Sequence, residues 1–125
     1  MKIGVQRILV ADGHPLVRQG VRSLLEAYPQ MQVVAEATTG REALEGARSV
    51  NPDILIIDIA LPDLNGIGLV KTIKAELPDT HVVVFTICKC EELIVAAMRA
   101  GASGYVVKAD SGSDLLSTLQ SLSAA

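Results

Sequence analysis

Four polar side chains that could do chemistry together each follow a short run of apolar residues. They are Asp12 after ILVA at 8–11, Asp58 after ILII at 54–57, Thr86 after VVVF at 82–85, and Lys108 after YVV at 105–107. A carboxylate can act as a nucleophile or bind a hard cation, a hydroxyl can donate a hydrogen bond, and an ammonium neutralises negative charge. Brought together, such groups are equipped to accept a phosphoryl group.

Each of these residues has a simpler interpretation when it is taken alone. A single Asp after a strand is commonly a turn former or a helix cap, and a single Lys there is commonly solvated. Their combination is more informative, because two carboxylates about 5 Å apart at an effective dielectric constant of about 20 repel by about 3 kcal/mol. That repulsion would shift one pKa by about two units unless a cation lies between them. Lys108 or a Mg²⁺ ion would provide that cation.

The apolar runs predict five strands of one parallel sheet. The four runs above and VVA at 33–35 are rich in Val and Ile and are uninterrupted, which is typical of strands covered on both faces. The stretches between and after them carry apolar residues at helical spacing, and the first helix is expected to begin at Pro15. The five apolar stripes are Leu16, Val17, Val21, Leu24 and Leu25; Ala43, Leu44 and Ala47; Leu69, Val70 and Ile73; Leu93, Ile94, Ala97 and Met98; and Leu115, Leu116, Leu119 and Leu122.

This alternation predicts an α/β fold, a flavodoxin-like (βα)5 three-layer sandwich whose parallel five-stranded sheet has the order 2-1-3-4-5. In that order strands 1 and 3 are neighbours, and the ligand crevice lies at their carboxyl ends. Asp12 and Asp58 are then near neighbours, flanked by Thr86 and Lys108. Asp58 is the better nucleophile candidate, because the loop LPDLNG at 61–66 follows it and is expected to be exposed.

The length and the composition of the chain indicate one globular domain over residues 1–125. Half of the residues are hydrophobic, a fifth are charged, and the net charge of −3 offers no basic surface for direct nucleic-acid contact. No apolar stretch approaches the roughly 18 residues of a membrane span, and no leader segment opens the chain, so we expect a cytoplasmic protein without membrane contact. Cys88 and Cys90 are expected to be ordinary reduced thiols, because too few other ligands accompany them for a zinc site.

Related folds that bind organic cofactors fit the sequence poorly, and we expect no organic cofactor. A flavin site would want a Ser/Thr-rich loop after the first strand and several aromatic residues, whereas the chain has DGHPLV at 12–17 and only Tyr28, Phe85 and Tyr105. A dinucleotide-binding motif would need a third glycine after Gly66-Ile67-Gly68, and a P-loop would need glycine at Val70.

Over essentially its whole length the chain resembles the receiver domain of bacterial two-component response regulators. The matching stretches are ILVAD, DILIIDIALPDLNG, the Thr after VVVF, and AGASGYVVK, while HPLVRQGVRSLLE and VVAEATTGREAL resemble receivers of the LuxR/NarL type. The resemblance implies a phosphoprotein that takes a phosphoryl group from a sensor histidine kinase. It also implies a phosphoacceptor domain, and not an enzyme, that assists its own phosphoryl transfer and hydrolysis. The regulation of transcription would then pass through a LuxR-type DNA-binding output that is not part of this chain.

The resemblance also implies roles for individual residues. Asp58 is the phosphoacceptor, Thr86 and Lys108 bind the phosphoryl group, and Mg²⁺ is bound by Asp12, Asp58 and the backbone carbonyl of Ala60. Tyr105 is the switch aromatic that moves with Thr86, although a rim aromatic packed on the last helix is the simpler alternative.

Two surfaces follow from the same resemblance. The first helix, around Pro15, Leu16 and Arg18, would meet the kinase. The face made by the fourth helix, the fifth strand and the fifth helix would change on activation and support a homodimer. Leu93, Val95 and Met98 belong either to that face or to the core.

Gly13 departs from the family pattern, in which two adjacent acids follow the first strand. Asp12, Asp58 and Lys108 give the pocket a charge of −1, where the usual acid pair would give −2, so Mg²⁺ should bind more weakly. Either Asp12 ligates the metal itself, which a flexible Gly13 would allow, or the domain is a degenerate receiver that binds protein partners whatever its phosphorylation state. His14 is expected near the start of the first helix, and imidazole is a poor ligand for Mg²⁺.

Overall fold

The computed structural model describes residues 4–108 and 112–123, in which five strands alternate with five helices along the chain. The strands are β1 (Gln6–Ala11), β2 (Met31–Ala37), β3 (Ile54–Ile57), β4 (His81–Thr86) and β5 (Gly104–Val107). The helices are α1 (Pro15–Glu26), α2 (Gly40–Val50), α3 (Gly66–Glu76), α4 (Glu91–Arg99) and α5 (Gly112–Ser123). The predicted alternation is confirmed.

All neighbouring strands are parallel, and their order is β2-β1-β3-β4-β5, as predicted. Ala11 at the end of β1 pairs with Ile57 at the end of β3, and Thr86 at the end of β4 pairs with Val107 at the end of β5. The residues that follow these strands therefore emerge at one edge of the sheet.

Two apolar clusters cover the two faces of the sheet and make the three layers. One face packs on α1 and α5, and the other packs on α2, α3 and α4. β3 is buried along its entire length, because it lies at the centre of the sheet with helices on both sides. In β2, at the sheet edge, buried and exposed residues alternate, and the strand extends on both sides of the predicted 33–35. The polar residues Gln32 and Glu36 occupy exposed positions there, so a continuous apolar run does not mark this strand.

The helix ends agree with the turn residues of the sequence. α1 begins at Pro15, directly after His14, and α2 ends before Asn51, whose φ of 47° is left-handed. Gly101 follows α4 with a φ of 113°, a conformation that glycine adopts without strain.

The prediction that Leu16 belongs to the inward stripe of α1 is wrong. Its side chain is 81% exposed, whereas Val21 and Leu25 are buried. Leu16 lies in the first turn of α1, next to the loop that leaves the sheet edge, where no further layer covers it. On α4, Val95 and Met98 are exposed and only Ala97 is buried, so these two side chains lie on the surface and not in the core. Within the residues described, no helix is long and apolar enough to cross a membrane.

Candidate functional site

The site begins with two buried acids at the ends of adjacent strands. The backbone N–H of Asp58 donates to the carbonyl of Ala11 at 3.0 Å, and that of Asp12 donates to the carbonyl of Ala37 at 2.9 Å. The ladder hydrogen bonds thus continue one residue past the strands and place the two acids side by side. Asp12 is 2% exposed and Asp58 is 5% exposed, so both carboxylates have lost most of their water.

Lys108 supplies the cation between the two carboxylates. Its Nζ lies 2.6 Å from Oδ2 of Asp12 and 2.8 Å from Oδ2 of Asp58. The backbone N–H of Lys108 donates to the carbonyl of Thr86 at 2.7 Å, which fixes the point where the chain leaves β5. The Lys side chain is 9% exposed, so all three charges interact in a poorly hydrated environment, where such pairing is strong.

The pKa values of the pocket follow from this pairing. Burial by itself would raise the pKa of Asp12, but hydrogen bonds from Lys108 and from His14 outweigh it and hold the pKa below its usual value. Burial would lower the pKa of Lys108, but the hydrogen bonds to Asp12 and Asp58 raise it above its usual value. Asp12 and Lys108 are therefore held in their charged forms.

The remaining carboxylate oxygens are held by local backbone groups. Oδ1 of Asp12 accepts from the backbone N–H of His14 at 2.8 Å, and Nδ1 of the His14 ring lies 2.9 Å from the same oxygen. Oδ1 of Asp58 accepts from the backbone N–H of Ala60 at 2.9 Å. The guanidinium of Arg18 donates to the backbone carbonyl of Asp12 at 2.7 Å, which ties the first turn of α1 to the loop after β1.

Thr86 and Tyr105 meet at the backbone of Cys88. The Thr86 hydroxyl accepts from the N–H of Cys88 at 3.4 Å, and the Tyr105 hydroxyl donates to the carbonyl of Cys88 at 2.6 Å. Thr86 is buried at the end of β4, and burial raises the pKa of Tyr105. The loop from β4 to α4 is thus joined to both side chains through one residue.

The loop after Asp58 is exposed at residues 62–65, as predicted, while Leu61 and Gly66 are buried. The carboxylate of Asp63 accepts from the backbone N–H groups of Gly40 at 2.7 Å and Arg41 at 3.0 Å, so it caps the first turn of α2. The side chain of Asn65 caps α3 by accepting from Ile67 and Gly68. The loop is therefore fastened to two helices while it stays open above the acid.

The donors of the pocket fit a divalent cation. One ligand atom from each of Asp12, His14 and Asp58 lies within 4.8 Å of the other two. Carboxylate oxygens are the donors that Mg²⁺ prefers, and it retains several waters when protein ligands are few. Gly13 contributes no ligand, and a Cβ added there would meet only the backbone oxygen of Thr38, at 3.5 Å. Its backbone is outside the left-handed region, so the loop geometry does not require glycine at this position.

The structure brings Asp12, Asp58 and Lys108 into direct contact, and it places Thr86 and Tyr105 on the adjoining loop. Sequence reasoning set His14 aside as a residue near the start of α1 and did not anticipate the contact of its ring with Asp12. It missed the bond from Arg18 to the carbonyl of Asp12 and the capping of α2 by Asp63. Asp63 lies 23 residues from Gly40 along the chain, and no local pattern signals that contact. His14 is adjacent to the site in sequence, but the direction of its ring depends on a rotamer that the sequence does not specify.

The comparison with known protein families decides the identity of this fold. Residues 8–120 match the model of the response regulator receiver domain. The chain is a response regulator receiver domain. It is 35% identical over 117 residues to the nitrate/nitrite response regulator NarL of Escherichia coli K12, which covers 94% of this chain and 54% of that protein. It is 36% identical over 118 residues to the DNA-binding transcriptional activator DevR/DosR of Mycobacterium tuberculosis, with the same two coverages.

Solved structures agree with this assignment. A LuxR-family response regulator from Aurantimonas sp. SI85-9A1 superposes with a TM-score of 0.90 at 34% identity, over 97% of this chain and 87% of that one. The isolated receiver domain of RcsB from Salmonella enterica, solved with the phosphomimetic BeF3−, superposes with a TM-score of 0.91 at 27% identity. The match covers 96% of this chain and 89% of that one. The receiver domain described here spans about half the length of the curated relatives it matches.

Proposed function

We propose that this receiver domain accepts a phosphoryl group on Asp58 from a phosphohistidine of a sensor histidine kinase. The observation that carries the proposal is the buried group of Asp12, Asp58 and Lys108, in which one ammonium bridges two carboxylates at the edge of a parallel sheet. The ammonium lies beside the carboxylate of Asp58, where it can neutralise negative charge on an incoming phosphoryl group.

Asp58 is a better acceptor than Asp12. Oδ1 of Asp12 already accepts from the His14 backbone and lies beside the His14 ring, and its Oδ2 lies 2.6 Å from Lys108. Asp58 has one backbone donor and the same ammonium, and the exposed loop at 62–65 begins four residues after it. A partner carrying the phosphoryl group would therefore approach Asp58 across this loop.

In the proposed step a carboxylate oxygen of Asp58 attacks the phosphorus atom. The O–P bond forms as the P–N bond of the phosphohistidine breaks, and the electron pair of that bond leaves with the imidazole nitrogen, which takes up a proton. Lys108, now 2.8 Å from Oδ2 of Asp58, moves its ammonium toward the phosphoryl oxygens. The N–H of Ala60 keeps its bond to the carboxyl group and holds its orientation.

Mg²⁺ would be held by Asp12, Asp58 and the backbone carbonyl of Ala60, with water in the position left by Gly13. When bound, it neutralises charge on the phosphoryl group. We propose that Gly13 weakens this binding, because the pocket charge is −1 and not −2. The same pocket would later admit a water molecule for hydrolysis, so the domain would assist its own dephosphorylation.

The change at Asp58 would pass to the surface through Thr86, Cys88 and Tyr105. Thr86 would turn its hydroxyl toward a phosphoryl oxygen and give up its 3.4 Å contact with the N–H of Cys88. Because Tyr105 donates to the carbonyl of the same residue, movement of that loop changes the position of the Tyr ring. The exposed Val95 and Met98 on α4 lie on the face that would then bind a second copy or another partner.

The relatives support a role for such a switch in transcription control. NarL is a response regulator and DevR/DosR is a DNA-binding activator, and the matched stretch covers 54% of each. We propose that residues 1–125 act as the receiver part of a comparable system, in which DNA is bound by an output domain and not by this surface.

The test is the intact mass of the protein after treatment with a small phosphodonor, across a Mg²⁺ titration. We expect one phosphoryl adduct that requires Mg²⁺ and is absent in Asp58→Asn. The exposed Asp79→Asn serves as the matched control and should keep the adduct. A folded protein without any adduct, at any Mg²⁺ concentration, would replace the proposal with a receiver that binds partners independently of phosphorylation.

A further inference from the structure

The ring of His14 lies on the candidate metal site and not merely beside it. Its Nδ1 is 2.9 Å from Oδ1 of Asp12, and Asp12, His14 and Asp58 each offer one ligand atom in a group whose members lie within 4.8 Å of one another. Lys108 contacts the Oδ2 atoms of the two acids, so Oδ1 of Asp12 faces the imidazole and not the ammonium.

The separations match those of ligands around one ion. Adjacent ligands of an octahedral ion at about 2.1 Å are about 3.0 Å apart, and opposite ligands are about 4.2 Å apart. The 2.9 Å hydrogen bond between Nδ1 and Oδ1 thus has the length of an adjacent ligand pair, and a spread of 4.8 Å closes by movements of a few tenths of an ångström. The His14 side chain is 72% exposed, so water can serve the other ring nitrogen while Nδ1 faces the ion.

Among the described residues, the contact with Asp12 is the one hydrogen bond of the His14 side chain. The side chain makes no capping hydrogen bond to α1, although the residue occupies the N-cap position. Gly13 places no side chain between the ring and the acids. The imidazole nitrogen of His14 is therefore available beside two carboxylates, at a site where Gly13 replaces the second of the usual two adjacent acids.

We propose that His14 is a metal ligand, and that with Asp12 and Asp58 it makes this a site for imidazole-binding divalent transition ions in preference to Mg²⁺. The inference rests on the proposed function, since it concerns the cation of the same pocket. Imidazole binds Co²⁺, Ni²⁺ and Zn²⁺ well, whereas Mg²⁺ favours oxygen donors. The missing acid thus changes which ion the pocket prefers, in addition to weakening the binding of Mg²⁺.

The experiment is calorimetric titration of the tag-free protein with Ni²⁺ and, separately, with Mg²⁺. The wild type should bind Ni²⁺ at least about tenfold more tightly than Mg²⁺. His14→Ala should weaken Ni²⁺ binding by about tenfold or more and change Mg²⁺ binding by less than about twofold. The other histidine, His81, is the first residue of β4, and its ring is hydrogen-bonded to the hydroxyl of Ser103. His81→Gln should change neither the Ni²⁺ affinity nor the Mg²⁺ affinity.

Two results would overturn the inference. One is an unchanged Ni²⁺ affinity in His14→Ala, with the loss appearing instead in the double variant Cys88→Ser/Cys90→Ser, which would assign the ion to the thiols. The other is an equal loss of both ions in His14→Ala, which would make His14 a residue that only orients Asp12. Neither result touches the phosphoryl adduct on Asp58, so the inference can fail while the proposed function stands.

Discussion

At the scale of single residues, charge balance governs the pocket. One ammonium at position 108 lies within hydrogen-bonding distance of two carboxylates, and all three side chains are less than a tenth exposed. Buried charges are tolerated when they are paired, and removing one partner leaves an uncompensated charge. The residues of this site therefore affect stability as well as chemistry.

Lys108→Met keeps most of the side-chain volume and removes the cation. We expect a loss of about 2–4 kcal/mol in the free energy of unfolding at neutral pH, because Asp12 and Asp58 are left buried without a counter-charge. Urea unfolding measures the loss, and saturating Mg²⁺ should recover part of it. Lys71→Met, at an exposed position on α3, is the control and should have no measurable effect. Equal effects of the two substitutions would show that the bridge does not stabilise the fold.

The pH dependence of the stability follows from the directions in which the pKa values of Asp12 and Lys108 are shifted. The lowered pKa of Asp12 stabilises the fold above the ordinary pKa of the group, and this contribution is lost as the pH falls through the lowered value. The raised pKa of Lys108 stabilises the fold below its ordinary value and is lost as the pH rises through the raised one. Asp12→Asn should therefore flatten the fall in stability as the pH drops below about 4 in urea titrations. If the free energy of unfolding of Asp12→Asn fell at acid pH as it does in the wild type, the stabilising role of the Asp12 carboxylate would be contradicted.

Gly13→Asp tests the missing acid directly. The new Cβ has room, and the backbone there suits any residue. We expect Mg²⁺ to bind about tenfold more tightly. Without Mg²⁺ the fold should lose about 1 kcal/mol, because a third carboxylate shares one ammonium. Gly13→Asn is the uncharged control and should change the Mg²⁺ affinity little in a calorimetric titration. If Gly13→Asn and Gly13→Asp change the Mg²⁺ affinity equally, the charge at position 13 is not the cause of the tighter binding.

At the scale of elements, the shape of the loop after Asp58 depends on how closely the first turn of α3 approaches Ile59. A Cβ on Gly66, the first residue of α3, would lie 2.3 Å from the backbone oxygen of Ile59 and 2.4 Å from its Cα. Gly68, two residues later, has its nearest neighbour at 3.9 Å. The first glycine thus permits the close approach that shapes the loop, while the second only adds flexibility to the helix.

This contrast predicts opposite effects for the same change. Gly66→Ala should destabilise the fold by about 1–3 kcal/mol, since backbone atoms must move apart. Gly68→Ala should be neutral or stabilise it by up to about 1 kcal/mol, because Ala is the better helix former. Thermal or urea unfolding of both variants measures the difference. Similar effects from the two would mean that α3 can shift away from Ile59 at little cost.

At the scale of the whole molecule, the sheet order and the meeting of Asp12, Asp58 and Lys108 follow from regularities of the sequence. Buried parallel strands are marked by runs of Val and Ile, and their carboxyl ends must meet at one edge. Details that depend on distant contacts or rotamers could not be predicted. Asp63 capping α2, the ring direction of His14 and the exposure of Leu16 are of this kind, because each depends on where layers end or which groups face each other after folding.

We propose that Asp58, and not its neighbour Asp12, accepts the phosphoryl group. The most direct test is to treat the protein with a phosphodonor and Mg²⁺, reduce the acyl phosphate with borohydride, and locate the modified residue by peptide mass spectrometry. We expect homoserine at position 58 and an unmodified Asp12. Modification of Asp12, or an unmodified Asp58 in a protein that carries the adduct, would contradict it.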